Sequence, residues 1–567
     1  MFKILIKPTD KIIEIDENTN VMDSLLHNNI NMDNNCLGHG TCGKCKVKLL
    51  SGNVNPITKQ ELSLLSKYDM ENSIRLSCFL FPKSDITIEL AQQNNDEMSI
   101  TAFGFLPEFS LGTPSLNKEY NPANNSTLVK YNKTIISTEK GNTSDNIFGI
   151  ALDIGTTTVV MSLVNILTKQ EISTEVSINT QVKYGQDVIT RISYSNDNGE
   201  IGITSLKNEI ISLINNMINE ICAKSNINSD NIYEIAVSAN TTMLHMLLGI
   251  SAFSLAHSPY KPVFTNAQTT NAYKLGININ SKGILYCLPS ISAFVGADIV
   301  SGIYASNFYK ASGNSLFIDI GTNSEIVLNS NGSLYCCSCA AGPALEGMNI
   351  SCGVKACTGA IEEITVNNDE IIIKTIGNSA PIGLCGSGII SSIGQLVKNR
   401  IIKNNGQIRK HSEYKESDLF FQFAQDRLSA DNKTICIADS NPPINITQKD
   451  IRQVQLAKGA ILAGIHSLLE TSEIDFTQID KVFIAGQFGL HLSAKSLVEC
   501  DIIPEILSDK IIYVGNTSKS GAILALLSYE AKQIMSNIAA SAKYIELSTL
   551  NTYQEKFIKC LNFNSDL

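Results

Sequence analysis

Four cysteines in the first part of the chain have the spacing of a metal-cluster site. Cys36, Cys42 and Cys45 form a C-x5-C-x2-C loop, and Cys78 follows after 32 intervening residues. Three thiolates on one tight loop and one on a later segment are able to ligate iron tetrahedrally. Glycines between them let the loop fold closely around a cluster and point backbone N–H groups at its sulfurs. The pattern predicts a [2Fe–2S] cluster.

Two other interpretations of these cysteines stay open from the residues alone. The thiols are scattered reduced cysteines in one, and a structural zinc site in the other, although zinc sites more often use two separated C-x2-C pairs. His39 lies inside the loop and has the chemistry of a Rieske-type ligand. Because four cysteines already complete a ligand set, we interpret His39 as a surface residue.

A second pattern occurs twice, at a separation of 166 residues. LDIGTTTVVMSLVN (152–165) aligns without gaps on IDIGTNSEIVLNSN (318–331), and each copy reads as strand, turn and strand. Backbone N–H groups of such turns bind phosphate oxygens, and an aspartate at the strand end holds Mg²⁺ through water. The duplication indicates two related halves with a cleft between them. The predicted phosphate residues are Gly155, Thr156, Thr157, Gly321, Thr322 and Asn323, and the predicted Mg²⁺ residues are Asp153 and Asp319.

A third segment, VFIAGQFG (482–489), reads as a strand that enters a glycine turn. Gly486 and Gly489 would let an adenine lie close to the backbone. With the two duplicated turns, this segment resembles the phosphate and adenosine motifs of the ASKHA superfamily. The common Gly-Gly pair of the adenosine motif is Gly486–Gln487 here. The resemblance implies a duplicated actin-like, ribonuclease H-like domain that binds ATP.

A cluster loop and an ASKHA pattern in one chain resemble the RACo family, the reductive activators of corrinoid proteins. The segments that carry the resemblance are CLGHGTCGKCKVKLLSG, ALDIGTTTV, SANTTMLHMLLGI, FVGAD, GPALEGMNISCG, LCGSGII and VGNTSKSGA. The resemblance implies that inactive Co(II) cobalamin is reduced to Co(I) by an electron from the cluster, with ATP hydrolysis and Mg²⁺. It also implies a corrinoid protein partner, an external low-potential electron donor and a homodimer.

The same resemblance suggests further carboxylates for hydrolysis. Glu346, in GPALEG, would orient the attacking water or Mg²⁺, and Asp298 is its rival for that role. The alternative is that both are cleft-lining or capping carboxylates. A second cluster is conceivable at the later cysteines, but we interpret these as small buried side chains on core strands. They are Cys336, Cys337, Cys339, Cys352, Cys357 and Cys385.

Three other functions are compatible with parts of this pattern. A small-molecule kinase with a redox domain would need an acceptor pocket. An electron carrier with a vestigial ATPase half would not need acids in both turns. An activator of a 2-hydroxyacyl-CoA dehydratase would need a cluster in the ASKHA part and no ferredoxin.

Composition restricts the remaining classes of function. The chain has 567 residues, too many for one core, and 43% are hydrophobic, which excludes a wholly disordered protein. The formal net charge of −10 argues against a nucleic-acid or anionic-membrane partner. Fifteen cysteines, an odd number, exclude complete disulfide pairing within the chain. We therefore expect a cytoplasmic protein with reduced thiols, without a signal peptide or a membrane span.

The predicted fold is a multidomain protein of the α+β and α/β classes. Residues 1–92 form a β-grasp [2Fe–2S] ferredoxin-like domain, and residues 148–311 and 312–567 form the two halves of the ASKHA domain. Residues 93–147 are rich in Asn, Ser and Thr and are predicted to be a linker or small middle segment, with an ordered element around 103–111. Helices are predicted at 20–30, 204–223 and 242–249.

Overall fold

The computed structural model of this chain describes residues 2–564, apart from residues 8–9, 17, 29, 31–39, 41–42, 44, 63, 66–68, 71, 91–111, 369 and 487–491. The chain divides into two units. The first comprises residues 1–95 with 180–194, and the second comprises residues 96–179 with 195–567. Each unit has its own sheets and its own hydrophobic core.

The first unit is built on a mixed sheet. Its elements are β1 (Phe2–Lys7), β2 (Lys11–Ile15), α1 (Val21–His27), β3 (Lys46–Ser51), α2 (Lys59–Leu62), β4 (Ile74–Leu76) and β5 (Ile86–Leu90). The strand order is β2-β1-β5-β3-β4, with β1 and β5 parallel. Alternate residues of β1, Ile4 and Ile6, are buried because side chains alternate across a strand. Asn20 caps α1 by accepting from the N–H of Asp23, and the helix ends at His27, before the predicted residue 30.

A buried ion pair holds the strand that precedes Cys78. Arg75 donates from Nε and Nη2 to the two carboxylate oxygens of Glu61 at 2.8 and 2.9 Å, and Glu61 is fully buried. Glu61 also accepts from the N–H of Leu76 at 3.0 Å, and Arg75 Nη1 donates to the carbonyl of Asn55 at 3.1 Å. Both charges are therefore satisfied by several partners, which a buried pair needs.

The second unit begins with a small antiparallel sheet, made of β6 (Leu116–Asn121), β7 (Ser126–Tyr131) and β8 (Thr134–Lys140). The larger sheet that follows contains β9 (Phe148–Ile154), β10 (Thr158–Asn165), β11 (Gln170–Ile178), β12 (Ile232–Ala239), β13 (Gln268–Asn271) and β14 (Ile284–Cys287). Its order is β11-β10-β9-β12-β14-β13. The first duplicated segment is the β9–β10 hairpin at its centre.

The remaining strands are β15 (Asn314–Ile320), β16 (Ser324–Ser330), β17 (Ser333–Cys339), β18 (Ala360–Asn367), β19 (Glu370–Thr375), β20 (Gly383–Leu384), β21 (Thr434–Ala438), β22 (Ile444–Thr447), β23 (Ile479–Ala485), β24 (Ile511–Gly515) and β25 (Lys543–Tyr544). The second large sheet has the order β24-β23-β15-β16-β17-β25. The run β17-β16-β15-β23-β24 repeats the order of β11-β10-β9-β12-β14, so the duplication seen in the sequence is a duplication of the sheet.

Helices alternate with these strands along the rest of the chain. They are α3 (Val188–Asp197), α4 (Gly199–Ser225), α5 (Thr241–Leu248), α6 (Ala297–Ala305), α7 (Gly386–Lys398), α8 (Phe421–Arg427), α9 (Gln448–Thr471), α10 (Ala494–Glu499), α11 (Thr517–Leu527), α12 (Tyr529–Ser541) and α13 (Tyr553–Cys560). The predicted helix 204–223 lies within α4, and the predicted helix 242–249 overlaps α5. None of the helices in the described part of the chain combines the length and hydrophobicity needed to cross a membrane.

The two duplicated hairpins differ by one residue in the turn. In the first, Ile154 pairs with Val159, whereas Ile320 in the second pairs with Ser324. The gapless alignment therefore holds for the first strand and breaks in the turn. As a consequence, the residue opposite Asp319 is Glu325, on the same face of the hairpin.

Part of the segment predicted to be a linker is folded. The sheet β6–β8 occupies residues 116–140, and Leu116 and Val129 are fully buried. The polar composition of this segment reflects the exposed face of the small sheet, since one face of an antiparallel sheet tolerates polar residues. The ordered element predicted around 103–111 lies outside the described residues.

A buried polar network joins this sheet to β12 and α12 of the same unit. Lys532 of α12 donates to Ser115 Oγ at 3.0 Å and to Tyr131 Oη at 3.2 Å, and forms an ion pair with Glu234 of β12. Tyr131 Oη in turn donates to Glu234 at 3.2 Å. Tyr233 Oη also donates to Glu139 of β8 at 2.5 Å.

Loss of the Lys532 charge should destabilise the second unit. Lys532→Met leaves the fully buried Glu234 without its cation, and breaking one side of such a pair lowers the free energy of unfolding by about 3 kcal/mol. Denaturant unfolding followed by circular dichroism measures the loss. The control is Lys130→Met, whose ion pair with Glu119 is solvent-exposed and contributes little. Equal stability of the two variants would contradict the prediction.

Candidate functional site

Asp153 lies at the end of β9, where the first Gly/Thr turn begins. Its carboxylate accepts from Ser518 Oγ at Oδ1, at 2.6 Å, and from Asn516 Nδ2 at Oδ2, at 2.9 Å. Asn516 is also the N-cap of α11, because its Oδ1 accepts from the N–H of Lys519 at 2.9 Å. Burial raises the pKa of Asp153, while the two hydrogen bonds and the charge of Lys519 oppose that rise.

Asp319 lies at the matching end of β15, with Glu325 directly opposite in β16. Burial raises the pKa of Asp319 to about 7, and the charges of Asp153 and Glu346 add to the rise. Burial also raises the pKa of Glu325 well above its ordinary value, with the charges of Asp298 and Asp319 as further causes. These carboxylates therefore repel one another across the site.

Asp298 and Glu346 complete the group of acids. Asp298 lies in the first turn of α6, and its Oδ1 accepts from the N–H of Ile299 at 2.9 Å. Burial raises the pKa of Asp298 to about 7, with the charge of Asp319 as the next cause. Glu346 accepts from Thr322 Oγ1 at 2.7 Å, which ties the helical turn 343–346 to the second Gly/Thr turn, and burial raises the pKa of Glu346.

Five acids form what we call the carboxylate cluster: Asp153, Asp298, Asp319, Glu325 and Glu346. Both halves of the second unit contribute to it, and each side chain keeps part of its surface exposed to solvent. Within the described residues, no three His, Cys, Asp or Glu side chains converge closely enough to ligate one metal ion directly. The cluster therefore suits a hydrated divalent cation such as Mg²⁺, bound through its water molecules and through phosphate oxygens.

The first Gly/Thr turn is closed differently from the simple nest that the sequence predicts. The N–H of Gly155 donates to the carbonyl of Thr158 at 2.8 Å, so Gly155 shapes the turn and does not offer a free donor. Thr156 Oγ1 accepts from Asn240 Nδ2 at 3.2 Å, and Asn240 caps α5. In the second turn, Gly321 lies beside Glu346, since a Cβ built on Gly321 would stand 3.8 Å from its Oε1.

A glycine at the end of a third strand lies directly against one of the aspartates. Gly486, at the end of β23, has a φ of +92°, and a Cβ there would stand 2.6 Å from Asp319 Oδ1. This glycine is therefore required both by its backbone conformation and by the acid beside it. Asn323 is exposed on the second turn, and Thr157 is partly exposed on the first. Gly489 lies outside the described residues.

Some residues of this site are not indicated by any sequence motif. Glu325 follows the second turn, and only the strand register reveals that it faces Asp319. Asn516 and Ser518 stand in VGNTSKSGA, a segment that carried the family resemblance without an assigned role. Their contact with Asp153 spans more than 360 positions of the chain, so no local pattern announces it.

Two of the four predicted cluster ligands lie in the described part of the first unit. Cys45 Sγ and Cys78 Sγ are 3.3 Å apart, and the N–H of Ser77 donates to the carbonyl of Cys45 at 2.8 Å. Two thiolates on one tetrahedral metal, each at about 2.3 Å, stand about 3.8 Å apart, so the pair fits ligation of one iron. The hydrogen bond with Cys78 lowers the pKa of the Cys45 thiol to about 6, against the effect of burial. Cys36, Cys42 and His39 lie outside the described residues.

The loop that carries these ligands needs glycine at two positions. Gly40 and Gly43 have φ values of +67° and +66°. A Cβ on Gly40 would stand 2.2 Å from the ring of Phe79, next to Cys78. Gln60 Nε2 donates to the carbonyl of Gly40 at 3.0 Å and holds this turn against α2. The donor set and the loop therefore fit a [2Fe–2S] cluster.

The later cysteines are parts of the protein core. Cys336, Cys337 and Cys339 are buried on β17, and burial raises the pKa of the first two thiols. Cys357 and Cys385 are buried together in a small apolar cluster, whereas Cys352 is partly exposed. A raised thiol pKa disfavours the thiolate that metal ligation requires.

The fold and the two sites define a ferredoxin-type iron–sulfur domain joined to an ASKHA-type domain. A model of the 2Fe-2S iron-sulfur cluster binding domain matches residues 4–83, and models of the RACo middle region and of the C-terminal ASKHA domain of RACo match residues 148–311 and 313–566. The chain belongs to the RACo family.

Individual relatives agree with this membership. The corrinoid activation enzyme RamQ of Eubacterium limosum is 32% identical over 443 residues, 78% of this chain and 74% of its own. The [Co(II) methylated amine-specific corrinoid protein] reductase of Methanosarcina barkeri is 23% identical over 73% of this chain and 77% of its own. The solved structure of a reductive activator for corrinoid, iron-sulfur protein superposes with a TM-score of 0.70 and 30% identity, covering 100% of this chain and 99% of the other.

Substitution of Gly486 should impair the carboxylate cluster. Gly486→Ala places a methyl group against Asp319 and strains the backbone, and displacement of a reacting group typically lowers a rate by about tenfold or more. Mg²⁺-dependent ATP hydrolysis measures the loss. Gly332→Ala is the matched control, because Gly332 has a φ of +91° and no atom within 4 Å of its Cβ position. Equal losses in both variants would assign the effect to backbone strain alone.

Mg²⁺ binding should release protons near neutral pH. Asp298 and Asp319, with pKa values of about 7, are partly protonated there, and a bound cation favours their ionised forms. Proton release is therefore greatest near pH 7 and small at about pH 9, while Mg²⁺ affinity weakens as the pH falls through about 7. Calorimetric titration with Mg²⁺ and ADP in buffers of different ionisation enthalpy counts the protons. Release that does not vary with pH, or is unchanged in Asp298→Asn, would contradict the prediction.

Proposed function

We propose that this protein is an ATP-dependent reductive activator of a corrinoid protein, which returns inactive Co(II) cobalamin to Co(I). The observation that carries the proposal is one chain with a closely spaced cysteine pair in a ferredoxin-type unit and a carboxylate cluster drawn from both halves of an ASKHA-type domain. Membership of the RACo family supports it, as does similarity to one protein named as a corrinoid activation enzyme and to another named as a reductase of a Co(II) corrinoid protein.

The first unit would supply the electron. Cys36, Cys42, Cys45 and Cys78 would hold a [2Fe–2S] cluster, which accepts and releases one electron at a time when bound. The hydrogen bond from Ser77 to Cys45 and the Glu61–Arg75 pair fix the segment that carries Cys78. An external low-potential donor would reload this site, and the corrinoid protein would be the acceptor.

The second unit would supply the driving force. Co(II) reduction needs a lower potential than a typical [2Fe–2S] donor, and each mismatch of about 59 mV is a tenfold unfavourable equilibrium for one electron. Asp153 and Asp319 would position hydrated Mg²⁺ on the phosphates of ATP, and Glu346 or Asp298 would orient the attacking water. Closure of the two halves around nucleotide would convert ATP into a conformational change.

Two further properties belong to the same proposal. We place the protein in the cytoplasm, because its cysteines are free in the described residues and its core thiols are reduced. We also propose a homodimer, as the family resemblance implies. A small-molecule kinase is the second candidate, and its prediction is phosphorylation of a small acceptor by the same carboxylate cluster.

One experiment separates the two candidates. The anaerobically reduced protein is mixed with ATP, Mg²⁺ and a corrinoid protein in the Co(II) state, and the absorption spectrum of Co(I) is followed. Appearance of Co(I) only in the presence of ATP supports the activator. ATP-dependent phosphorylation of a small acceptor without Co(I), using the corrinoid proteins of several methyltransferase systems, would overturn it.

Removal of one cysteine ligand of the [2Fe–2S] cluster should abolish Co(I) formation and leave ATP hydrolysis intact. Cys45→Ala deprives the cluster of a thiolate, so the [2Fe–2S] signal in electron paramagnetic resonance and Co(I) formation should be lost. ATP hydrolysis should persist, because the carboxylate cluster contains no residue of the first unit. Cys287→Ala is the control, since Cys287 is buried in β14. An intact cluster signal in Cys45→Ala would remove this residue from the ligand set.

A further inference from the structure

The two duplicated aspartates are held in different ways. Asp153 accepts hydrogen bonds on both carboxylate oxygens, from Ser518 and Asn516. Asp319, by contrast, accepts none from the part of the chain that the structure describes, and it faces Glu325 and the glycine at 486 instead. The duplication has therefore left one acid with hydrogen bonds to both of its oxygens and the other without such bonds in the described part of the chain.

The donor Ser518 is itself held by buried hydroxyl groups. Its Oγ lies 2.9 Å from Ser238 Oγ of β12, and Ser238 Oγ lies 2.8 Å from Ser301 Oγ of α6. Ser238 and Ser301 are fully buried. Ser518 Oγ is placed to donate to Asp153 or to Ser238, and because a hydroxyl carries one hydrogen, an ionised Asp153 draws that hydrogen toward its own carboxylate. This series of hydrogen bonds links side chains of β9, α11, β12 and α6.

The donor Asn516 is fixed by its second role. Its Oδ1 accepts from the N–H of Lys519, so the amide nitrogen must point toward Asp153. Lys519 is buried and pairs with Glu171 at 2.7 Å, which holds the first turn of α11 against β11. The first turn of α11 is thus held in place by contacts that do not involve the Asp153 carboxylate.

We propose that Ser518 and Asn516 are positioning residues, which orient the Asp153 carboxylate for the Mg²⁺–nucleotide complex. This inference rests on the proposed function of the carboxylate cluster. Asp153 accepts one hydrogen bond on each carboxylate oxygen, so its remaining lone pairs point in a fixed direction and would meet a hydrated Mg²⁺ without reorganisation. The Ser518–Ser238–Ser301 chain makes this orientation depend on the packing of α6 and α11.

The test compares ADP affinity with and without the cation. Isothermal titration of ADP is performed in Mg²⁺ and, separately, in EDTA. Ser518→Ala removes one hydrogen bond to a charged group, so affinity in Mg²⁺ should fall by about tenfold while affinity in EDTA stays unchanged. Ser518→Thr retains the hydroxyl and should bind like the wild type. Ser520→Ala is the matched control, because Ser520 is buried on the same helix and donates only to the carbonyl of Asn516.

A second variant separates orientation from helix capping. Asn516→Asp keeps an acceptor for the Lys519 N–H and so keeps the cap, but it replaces the donor to Asp153 by a like charge. We expect the Mg²⁺-dependent gain in ADP affinity to be lost, while the far-ultraviolet circular dichroism spectrum of the folded protein stays close to that of the wild type. Retention of this gain in both variants, or equal losses in Mg²⁺ and EDTA, would overturn the positioning role. Failure of the wild type to bind ADP would instead overturn the proposed function of the site.

Discussion

Mutual repulsion within the carboxylate cluster is the constraint on which the second unit depends. Burial already raises the pKa values of these acids, and the charges of Asp298 and Asp319 raise those of their neighbours further. A fold that gathers such groups loses stability as the pH rises through their raised pKa values, because the carboxylates then ionise against each other. A cation bound at this cluster would relieve the repulsion, because it favours the ionised forms of the acids.

Strand register determines which side chains lie beside the two aspartates of the repeated motif. Each Gly/Thr turn delivers an aspartate at the end of its first strand, and the two sheets have corresponding strand orders. The shorter second turn then places Glu325 opposite Asp319, whereas Val160 stands opposite Asp153. A change of one residue in a turn exchanges the faces of the following strand, so it also changes the charge beside the aspartate.

The sequence predicted the ferredoxin-type and ASKHA-type folds, because the patterns that indicate them are local. The cysteine loop, the two turns and the glycine at 486 are each readable within a few residues, and the duplicated fold follows from the repeat. The folded sheet at 116–140 was missed because its strands carry polar residues and bury few side chains, among them Leu116 and Val129. The contact between Asn516 and Asp153 joins residues far apart in the chain, and only the packed fold brings them together.

Each unit contains a buried ion pair outside its candidate site. Glu61 and Arg75 hold the strand before Cys78, and Glu234 and Lys532 join β12 to α12 and the small sheet. A buried pair contributes little net stability, but it tolerates few geometries because both charges need all their partners. Each pair therefore fixes the relative position of the elements that it joins.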